Sequence, residues 1–158
     1  MAEEIVGLRA TTEGALKFVL CVETDPENSP HIGSWSREGH AAAITSPVFW
    51  HLLILQDDLS QGYLIARDLC AEGKGVFLKR IAVLSKVGGL GRQAISQFIQ
   101  SLSPLGPSRI WLAVDVENAR AQRTYRALGF EEMAGLEVAV DGFPDHSFLM
   151  VKHLESLS

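Results

Sequence analysis

Residues 85–94 read Ser-Lys-Val-Gly-Gly-Leu-Gly-Arg-Gln-Ala and carry three glycines. They stand between the apolar run 75–83 and the stretch 90–102, in which apolar residues recur at helical spacing. A glycine-rich turn that opens a helix offers bare backbone N–H groups and the positive end of the helix dipole to an anion. The stretch therefore predicts an anion site, and two cofactor classes fit it.

The segments around this loop predict a strand, a helix and a second strand. The first strand is Gly75 to Val83, and the second is Ile110 to Val116. Two strands joined by a helix pair in parallel, because antiparallel neighbours need only a tight turn. Another helix starts at Asn118, and Gly129 supplies its C-cap.

The rest of the chain predicts an antiparallel meander and one terminal hairpin. The remaining predicted elements are a strand at Leu8 to Ala10, a helix capped by Thr11 or Thr12, a helix Arg37 to Ile44 capped by Ser36, a strand Val48 to Leu55, a polar turn Gln56 to Gln61, a strand Gly62 to Ala66, and two strands Leu136 to Val140 and Ser147 to His153. The sequence thus predicts one α/β domain over residues 1–158, without a linker.

Composition narrows the class of protein. A net charge of −5 and a pI near 5.5 argue weakly against a nucleic-acid partner or an anionic membrane surface. No apolar run approaches the roughly 20 residues that span a bilayer, so we expect no membrane partner. Cys21 and Cys70 lie far apart, and no signal-like segment opens the chain, which favours a cytoplasmic protein with reduced thiols. The scattered histidines predict no metal site.

The glycine loop has two interpretations. In the first, Gly89-Leu-Gly91-Arg-Gln-Ala94 satisfies G-x-G-x-x-A, with Asp115 downstream, as in a dinucleotide-binding turn. Against it, residues 84–88 separate the strand from the glycines, and a doubly wound sheet needs more than one crossover. A nucleotide-hydrolase phosphate loop is excluded, since no G-K-[ST] follows.

In the second interpretation, Lys86-x-x-Gly89-x-Gly91 resembles the [Q/R]-x-x-G-x-[G/A] pyrophosphate motif of the GNAT superfamily of acyl-CoA-dependent N-acyltransferases. Lys86 departs from the usual Gln or Arg but keeps the positive charge. A second motif follows at 110–130, where a strand leads to Asn118 and then to a helix with Tyr125 and a terminal Gly-Phe. The two motifs in order favour this interpretation.

The resemblance implies a GNAT-like mixed central sheet flanked by helices, in which an antiparallel meander adjoins one parallel pair that splays into a V. It implies acetyl-CoA as the acetyl donor, with Tyr125 as the catalytic residue that protonates the leaving thiolate. The implied cofactor-binding residues are Ile81, Ala82 and Val83 along the pantetheine arm, Lys86, Val87, Gly88, Gly89, Leu90, Gly91 and Arg92 around the pyrophosphate, and Asn118 at a helix start. The sequence also fits simpler roles, in which Asn118 is only a helix N-cap and Tyr125 is only a core aromatic residue.

The general base stays open. Some similar enzymes carry a strand glutamate, but the positions matched to it, Phe77 and Ala113, are apolar. The alternatives for the general base are water, Glu38, His40, His51 and Asp115. The sequence also fits a structural role for three of them. In that role His51 is a hydrogen-bonded core histidine, and Glu38 and His40 belong to a solvated helix face. The positive charges of Arg120, Arg123 and Arg126 have two interpretations: they lie near the 3′-phosphate of the cofactor, or they belong to an exposed helix surface.

Three functional hypotheses follow from these patterns. The first is direct acetyl transfer to a primary amine of a small molecule or a protein N-terminus, by an enzyme of a class in which homodimers are common. The second is an acyl-CoA-binding module without turnover, and the third is a nicotinamide-dependent oxidoreductase. The sequence does not rank the acceptor amines.

Overall fold

The computed structural model describes residues 6–26, 28, 35–68, 75–84, 89–102, 107–133 and 147–154. Its strands are β1 Val6–Ala10, β2 Phe49–Gln56, β3 Leu59–Asp68, β4 Gly75–Val83, β5 Arg109–Asp115, β6 Glu131–Glu132 and β7 Ser147–His153. Its helices are α1 Leu16–Thr24, which follows a 3₁₀ turn at Glu13–Ala15, α2 Arg37–Thr45, α3 Leu90–Leu102 and α4 Ala119–Ala127. None of these helices combines the length and the apolar content that a bilayer span requires.

The strands form one mixed sheet in the order β1-β2-β3-β4-β5-β7-β6. β4 and β5 pair in parallel across the α3 crossover, and the other neighbouring strands pair antiparallel. The predicted meander and crossover are therefore confirmed. Within the described residues one parallel pair is present, so the sheet is not the doubly wound sheet of a dinucleotide-binding domain.

The parallel pair opens part of the way along. Its ladder runs from Gly75 opposite Arg109 to Leu78 opposite Leu112 and ends there, although β4 continues to Val83. On the other side of β4, Ile65 faces Arg80 and Ala66 faces Leu78, which leaves Lys79 as an extra, bulged residue. A bulge bends and twists its strand. The bulge at the last β4–β5 pair accounts for the splayed V.

Two apolar cores cover the two faces of the sheet. Residues on one face of α3, such as Ala94 and Phe98, pack on the larger core together with residues of β3, β4 and β5. On the opposite face, Val19 and Val22 of α1 pack against Tyr63 and other residues of β2 and β3. A smaller apolar cluster around Trp111 continues that second face across β4, β5 and β7.

Helix caps confirm several predicted boundaries. The Ser36 hydroxyl accepts a hydrogen bond from Gly39 N at 3.1 Å, and the Asn118 side chain accepts one from Ala121 N at 3.1 Å. Gly129, with φ of +97°, follows α4 in the left-handed conformation that ends helices. The predicted threonine cap of α1 is wrong, because Thr12 makes no side-chain cap bond and the chain enters α1 through the 3₁₀ turn.

The turn between β2 and β3 is shorter than the predicted turn Gln56 to Gln61. It consists of Asp57 and Asp58, whose φ angles of 50° and 67° are those of a type I′ hairpin turn. Aspartate tolerates this conformation, and the polar residues after it continue β3. The predicted strand Leu136 to Val140 lies outside the described residues, whereas the two-residue β6 was not predicted.

Candidate active site

The crevice between the splayed ends of β4 and β5 is the central feature of the site. Beyond Leu78, the outer edge of β4 stays paired with β3, and that of β5 with β7. Backbone groups on the inner edges consequently face the gap rather than each other. Ile81 is half-buried and Ala82 and Val83 are buried along this part of β4. The crevice suits an extended ligand with its own amide groups.

Gly62 brings β3 unusually close to this part of β4. A Cβ atom on Gly62 would lie 2.3 Å from the backbone oxygen of Ala82 and 2.9 Å from Cα of Val83. No side chain fits there without moving one of the two strands. Sequence reasoning missed this role, for which a lone glycine inside a strand is the available signal.

Gly89 and Leu90, the described start of the glycine loop's second half, open α3. Gly89 has φ of +70°, a conformation that strains side-chain-bearing residues, and its carbonyl accepts the hydrogen bond from Gln93 N at 3.0 Å. A Cβ on Gly91 would have no described atom within 4 Å. Leu90 is buried in the larger core, whereas Arg92 is exposed. Lys86, Val87 and Gly88 lie outside the described residues.

Glycine thus occurs at positions 89 and 91 for different structural reasons. The positive φ of Gly89 favours glycine, but the described chain shows no such preference at Gly91. Open space above backbone N–H groups in the first turn of α3 fits the close approach of a phosphate. That first turn carries no acidic side chain to oppose an anion.

Asn118 and Tyr125 lie on α4, which starts directly after β5. The ring of Tyr125 is half-buried, packs on the larger core and meets Phe130 edge-on with ring centroids 5.9 Å apart. Its hydroxyl hydrogen-bonds no group of the described residues. Burial raises the pKa of Tyr125 to about 12, so the phenol stays protonated at neutral pH. The arrangement therefore provides a core aromatic with an available O–H donor.

Ser147 adds a polar group that the sequence did not single out. It stands opposite Asp115 at the far end of the β5–β7 pair, and its hydroxyl oxygen is buried without a hydrogen-bond partner among the described residues. Buried polar atoms are almost always hydrogen-bonded, so an orphan hydroxyl at the end of the crevice is consistent with a ligand or water there.

The candidate general bases do not come together at the crevice. Glu38 is exposed on α2, and Asp115 accepts a hydrogen bond from Glu117 N at 2.9 Å. The interpretation of His40 as part of a solvated helix face is wrong, because its exposed fraction is 0%. His51 is a satisfied core histidine, as one interpretation held. Phe77 is buried and Ala113 half-buried, and both keep the strands apolar at the positions considered for a glutamate.

His40 and His51 belong to a buried polar network that sequence reasoning did not predict. Glu23 is its carboxylate, and one oxygen, Oε1, accepts hydrogen bonds from His40 Nε2, Tyr63 Oη and Arg80 Nη1. Burial acts to raise the pKa of Glu23, but the hydrogen bonds from His40 and Tyr63 and the charge of Arg80 outweigh it and hold that pKa below its usual value.

Burial also governs the titration of His51. It lowers the pKa of His51 to about 4, helped by electrostatic interactions with His40 and Arg80. His51 is therefore neutral at pH 7. Among the described residues, no group of three or more His, Cys, Asp or Glu side chains has an arrangement that would hold a metal ion.

The three arginines of α4 are exposed along the helix. Arg126 pairs with Glu132 at 3.4 Å, and both side chains are more than half exposed. An exposed pair of this kind contributes little to stability. The surface interpretation therefore holds for Arg126.

Comparison with known proteins assigns the class. A family model described as the acetyltransferase (GNAT) family matches residues 23–130, which include both motifs. A search of curated proteins found no match. The chain belongs to the GNAT acetyltransferase family, which makes it an acyltransferase, and acetyl-CoA is the typical donor of that family.

Solved structures agree on the fold. The ribosomal-protein-S18-alanine N-acetyltransferase from Escherichia coli is 21% identical, with 94% of each chain covered and a TM-score of 0.71. An acetyltransferase from Thermus thermophilus is 22% identical, with 94% of this chain and 97% of that chain covered and a TM-score of 0.75. The spermidine N-acetyltransferase from Vibrio cholerae, in complex with CoA and spermine, is 18% identical, with 94% and 95% covered and a TM-score of 0.76.

Proposed function

We propose that this chain transfers an acetyl group from acetyl-CoA directly to a primary amine. The observation that carries the proposal is the end of the β4–β5 ladder at Leu78 and Leu112, close in sequence to the N-terminus of α3. The opened strands offer backbone groups to the amide-containing pantetheine arm, and the helix N-terminus offers N–H groups to the pyrophosphate.

The donor is held mainly by backbone groups. Residues 81–83 bind the pantetheine arm and polarise the thioester carbonyl, and residues 86–92 surround the pyrophosphate. Gly89 shapes this turn, and Gly91 leaves room for the phosphate oxygens. Asn118 caps α4, and we propose that its side chain also contacts the donor. One domain over residues 1–158 supplies all of these groups.

The transfer step makes one bond and breaks one. The neutral amine nitrogen attacks the thioester carbon, the carbonyl oxygen gains charge against backbone N–H groups, and the C–S bond breaks. Tyr125 donates its O–H proton to the departing thiolate, and the proton that the attacking nitrogen releases through water restores the phenol. Its raised pKa keeps the phenol protonated throughout the neutral range, which is the state that a donor needs.

The amine loses its proton to water in this proposal. Phe77 and Ala113 offer no carboxylate, and His40 and His51 are enclosed in their network. A substrate-limited deprotonation has a clear signature: the acidic limb of kcat/KM moves with the pKa of the amine when amines of different basicity are compared. A limb that stays fixed would indicate a protein base instead.

The acceptor is a small molecule or a protein N-terminus that carries a primary amine. By their names, two of the similar structures are N-acetyltransferases of spermidine and of the alanine of ribosomal protein S18. These names support an amine acceptor as a class and do not choose between a polyamine and a peptide.

Initial-velocity measurements with a panel of amines test the proposal. Direct transfer predicts intersecting double-reciprocal lines, because both substrates must be bound together. Ping-pong kinetics, or an acetyl group trapped on the exposed Cys21 or on Cys70, would contradict direct transfer. Tight binding of acetyl-CoA without acetylation of any amine would favour the non-catalytic binding module.

A further inference from the structure

Glu23 joins four elements through a single oxygen atom. Its Oε1 lies 2.8 Å from His40 Nε2, 2.9 Å from Tyr63 Oη and 2.5 Å from Arg80 Nη1. These donors come from α2, β3 and β4, and Glu23 itself lies on α1. All four side chains are at most 6% exposed. The carboxylate thus attaches both helices of this face to the sheet.

The network continues from His40 through His51 to Thr11, which directly follows β1. His40 Nδ1 is 2.9 Å from His51 Nε2, and His51 Nδ1 is 2.8 Å from the Thr11 hydroxyl. Because His40 Nε2 must donate to Glu23, one proton lies between the two imidazoles, and a second proton there would place two donors face to face. The hydrogen bonds therefore fix the orientation of both rings.

The network meets the sheet where the crevice begins. Arg80 directly follows the bulged residue Lys79, and Tyr63 pairs with Ala82 two residues further along β4. Asn28, which follows α1, makes a second tie: its amide donates to Val22 O of α1 and to Val83 O at the end of β4, each at 3.1 Å. The part of β4 proposed to hold the thioester is consequently fastened to α1 at both of its ends.

Stability alone does not account for this arrangement. Burying a carboxylate and a guanidinium costs much of what their attraction returns, and apolar side chains of similar volume often stabilise a core equally well. The surroundings are apolar, with the ring of Trp35 lying 5.3 Å from the Arg80 guanidinium and 5.4 Å from the His40 ring. Buried charged groups held this way are frequent beside functional sites.

We propose that Glu23 and His40 are positioning residues for acetyl transfer. Through Arg80 and Tyr63 they fix the backbone of residues 80–83, and with it the donors that face the thioester carbonyl. This inference rests on the proposed function. It differs from a catalytic role, because neither side chain touches the reacting atoms.

Two substitutions of one residue test the proposal. In His40→Gln the amide nitrogen stands where Nε2 stood and still donates to Glu23, whereas in His40→Asn the amide stands near Nδ1 and the bond to Glu23 is lost. We expect His40→Asn to lower kcat by about tenfold or more, as small misplacements at a reacting centre do. The affinity for acetyl-CoA, measured by calorimetry, should change little, and His40→Gln should restore most of kcat.

Hydrogen exchange gives a readout that is independent of turnover. The backbone amides of residues 80–83 should exchange faster in His40→Asn than in His40→Gln. His153→Gln, on the exposed end of β7, is the control and should leave both kcat and exchange unchanged. If His40→Asn does not fold, Tyr63→Phe removes one donor to Glu23 without changing the shape of the side chain and takes its place, with the wild type as its reference.

The outcomes separate the inference from the proposed function. The positioning role would be overturned if kcat and hydrogen exchange were equal in His40→Asn and His40→Gln, or in Tyr63→Phe and the wild type. That result would leave the proposed acetyl transfer by the wild type unaffected. A wild-type protein that acetylates no amine would overturn the proposed function. The exchange comparison would then decide whether the network fixes β4.

Discussion

Tyr125 combines a core position with an available hydroxyl, and the two roles separate on mutation. Tyr125→Phe keeps the ring against Phe130 and removes only the O–H. Because that group acts on the leaving thiolate, we expect kcat to fall by roughly 10²-fold while the affinity for acetyl-CoA stays close to wild type. Steady-state kinetics and calorimetry measure the two quantities. An unchanged kcat under conditions where chemistry limits turnover would leave Tyr125 with a packing role alone.

Gly62 carries a steric requirement at the contact between β3 and β4. Gly62→Ala would place Cβ 2.3 Å from the backbone oxygen of Ala82, so β3 and β4 must move apart. We expect a loss of about 2–3 kcal/mol in the free energy of unfolding, in the range of overpacked cores.

Gly7→Ala is the matched control for this substitution. Gly7 also lies in a strand, but a Cβ there meets nothing within 4 Å. Urea denaturation of the two variants should show a large loss for Gly62→Ala and a change within about 0.5 kcal/mol for Gly7→Ala. Equal losses for the two variants would mean that the close contact between Gly62 and β4 does not exclude a side chain.

Helix α3 contains a glycine that its own stability does not need. In an open helical position, Gly91→Ala should raise the free energy of unfolding by about 0.5–1 kcal/mol, since alanine is the better helix former. The same methyl group obstructs a phosphate that approaches the first turn, so the affinity for acetyl-CoA should fall. Thermal denaturation and calorimetry test the two effects. A stabilised variant with wild-type affinity would contradict the role proposed for Gly91.

At the scale of elements, the sequence predicted what depends on local pattern. Apolar periodicity and strand composition placed β4 and α3 at their observed bounds, and cap chemistry placed the starts of α2 and α4. The predicted turn Gln56 to Gln61 contains the Asp57–Asp58 turn, but its two-residue length was not predicted because aspartate adopts positive φ without a distinctive signal. The bulge at Lys79 was missed because it is defined only by the partner strand.

The site shows the same division between local and distant information. The glycines near α3 and the Asn118 cap are local and were predicted from the motif. The network of Glu23, His40 and His51 joins residues that lie 11 to 28 positions apart, and a buried histidine resembles an exposed one in sequence. Its members become recognisable only when the helices are packed on the sheet.

For the whole molecule, His51 links stability to pH. Its pKa is about 4 in the folded chain against 6.5 for an unperturbed histidine, so below pH 6.5 the unfolded chain takes up a proton that the folded chain refuses. Stability from this group is complete above pH 6.5 and is lost as the pH falls through 4. Between pH 7.5 and 5 the loss should be about 2 kcal/mol. The lowered pKa of Glu23 acts in the same direction at still lower pH.

Denaturation as a function of pH checks this linkage. His51→Gln should flatten the decline in the free energy of unfolding between about pH 7.5 and 5. His153→Gln removes an exposed histidine and should keep the slope of the wild type. Identical slopes for the wild type and His51→Gln would show that His51 does not titrate as its burial implies.

The function proposed for the whole molecule depends on acetyl-CoA binding at the β4–β5 crevice and the start of α3. Calorimetric titration of the wild-type chain with acetyl-CoA, and in parallel with NADH, measures this binding. We predict saturable binding of one acetyl-CoA per chain and no binding of NADH. Binding of NADH alone would contradict this assignment. Binding of neither ligand would also contradict it and would leave the glycine loop with the role of a structural turn.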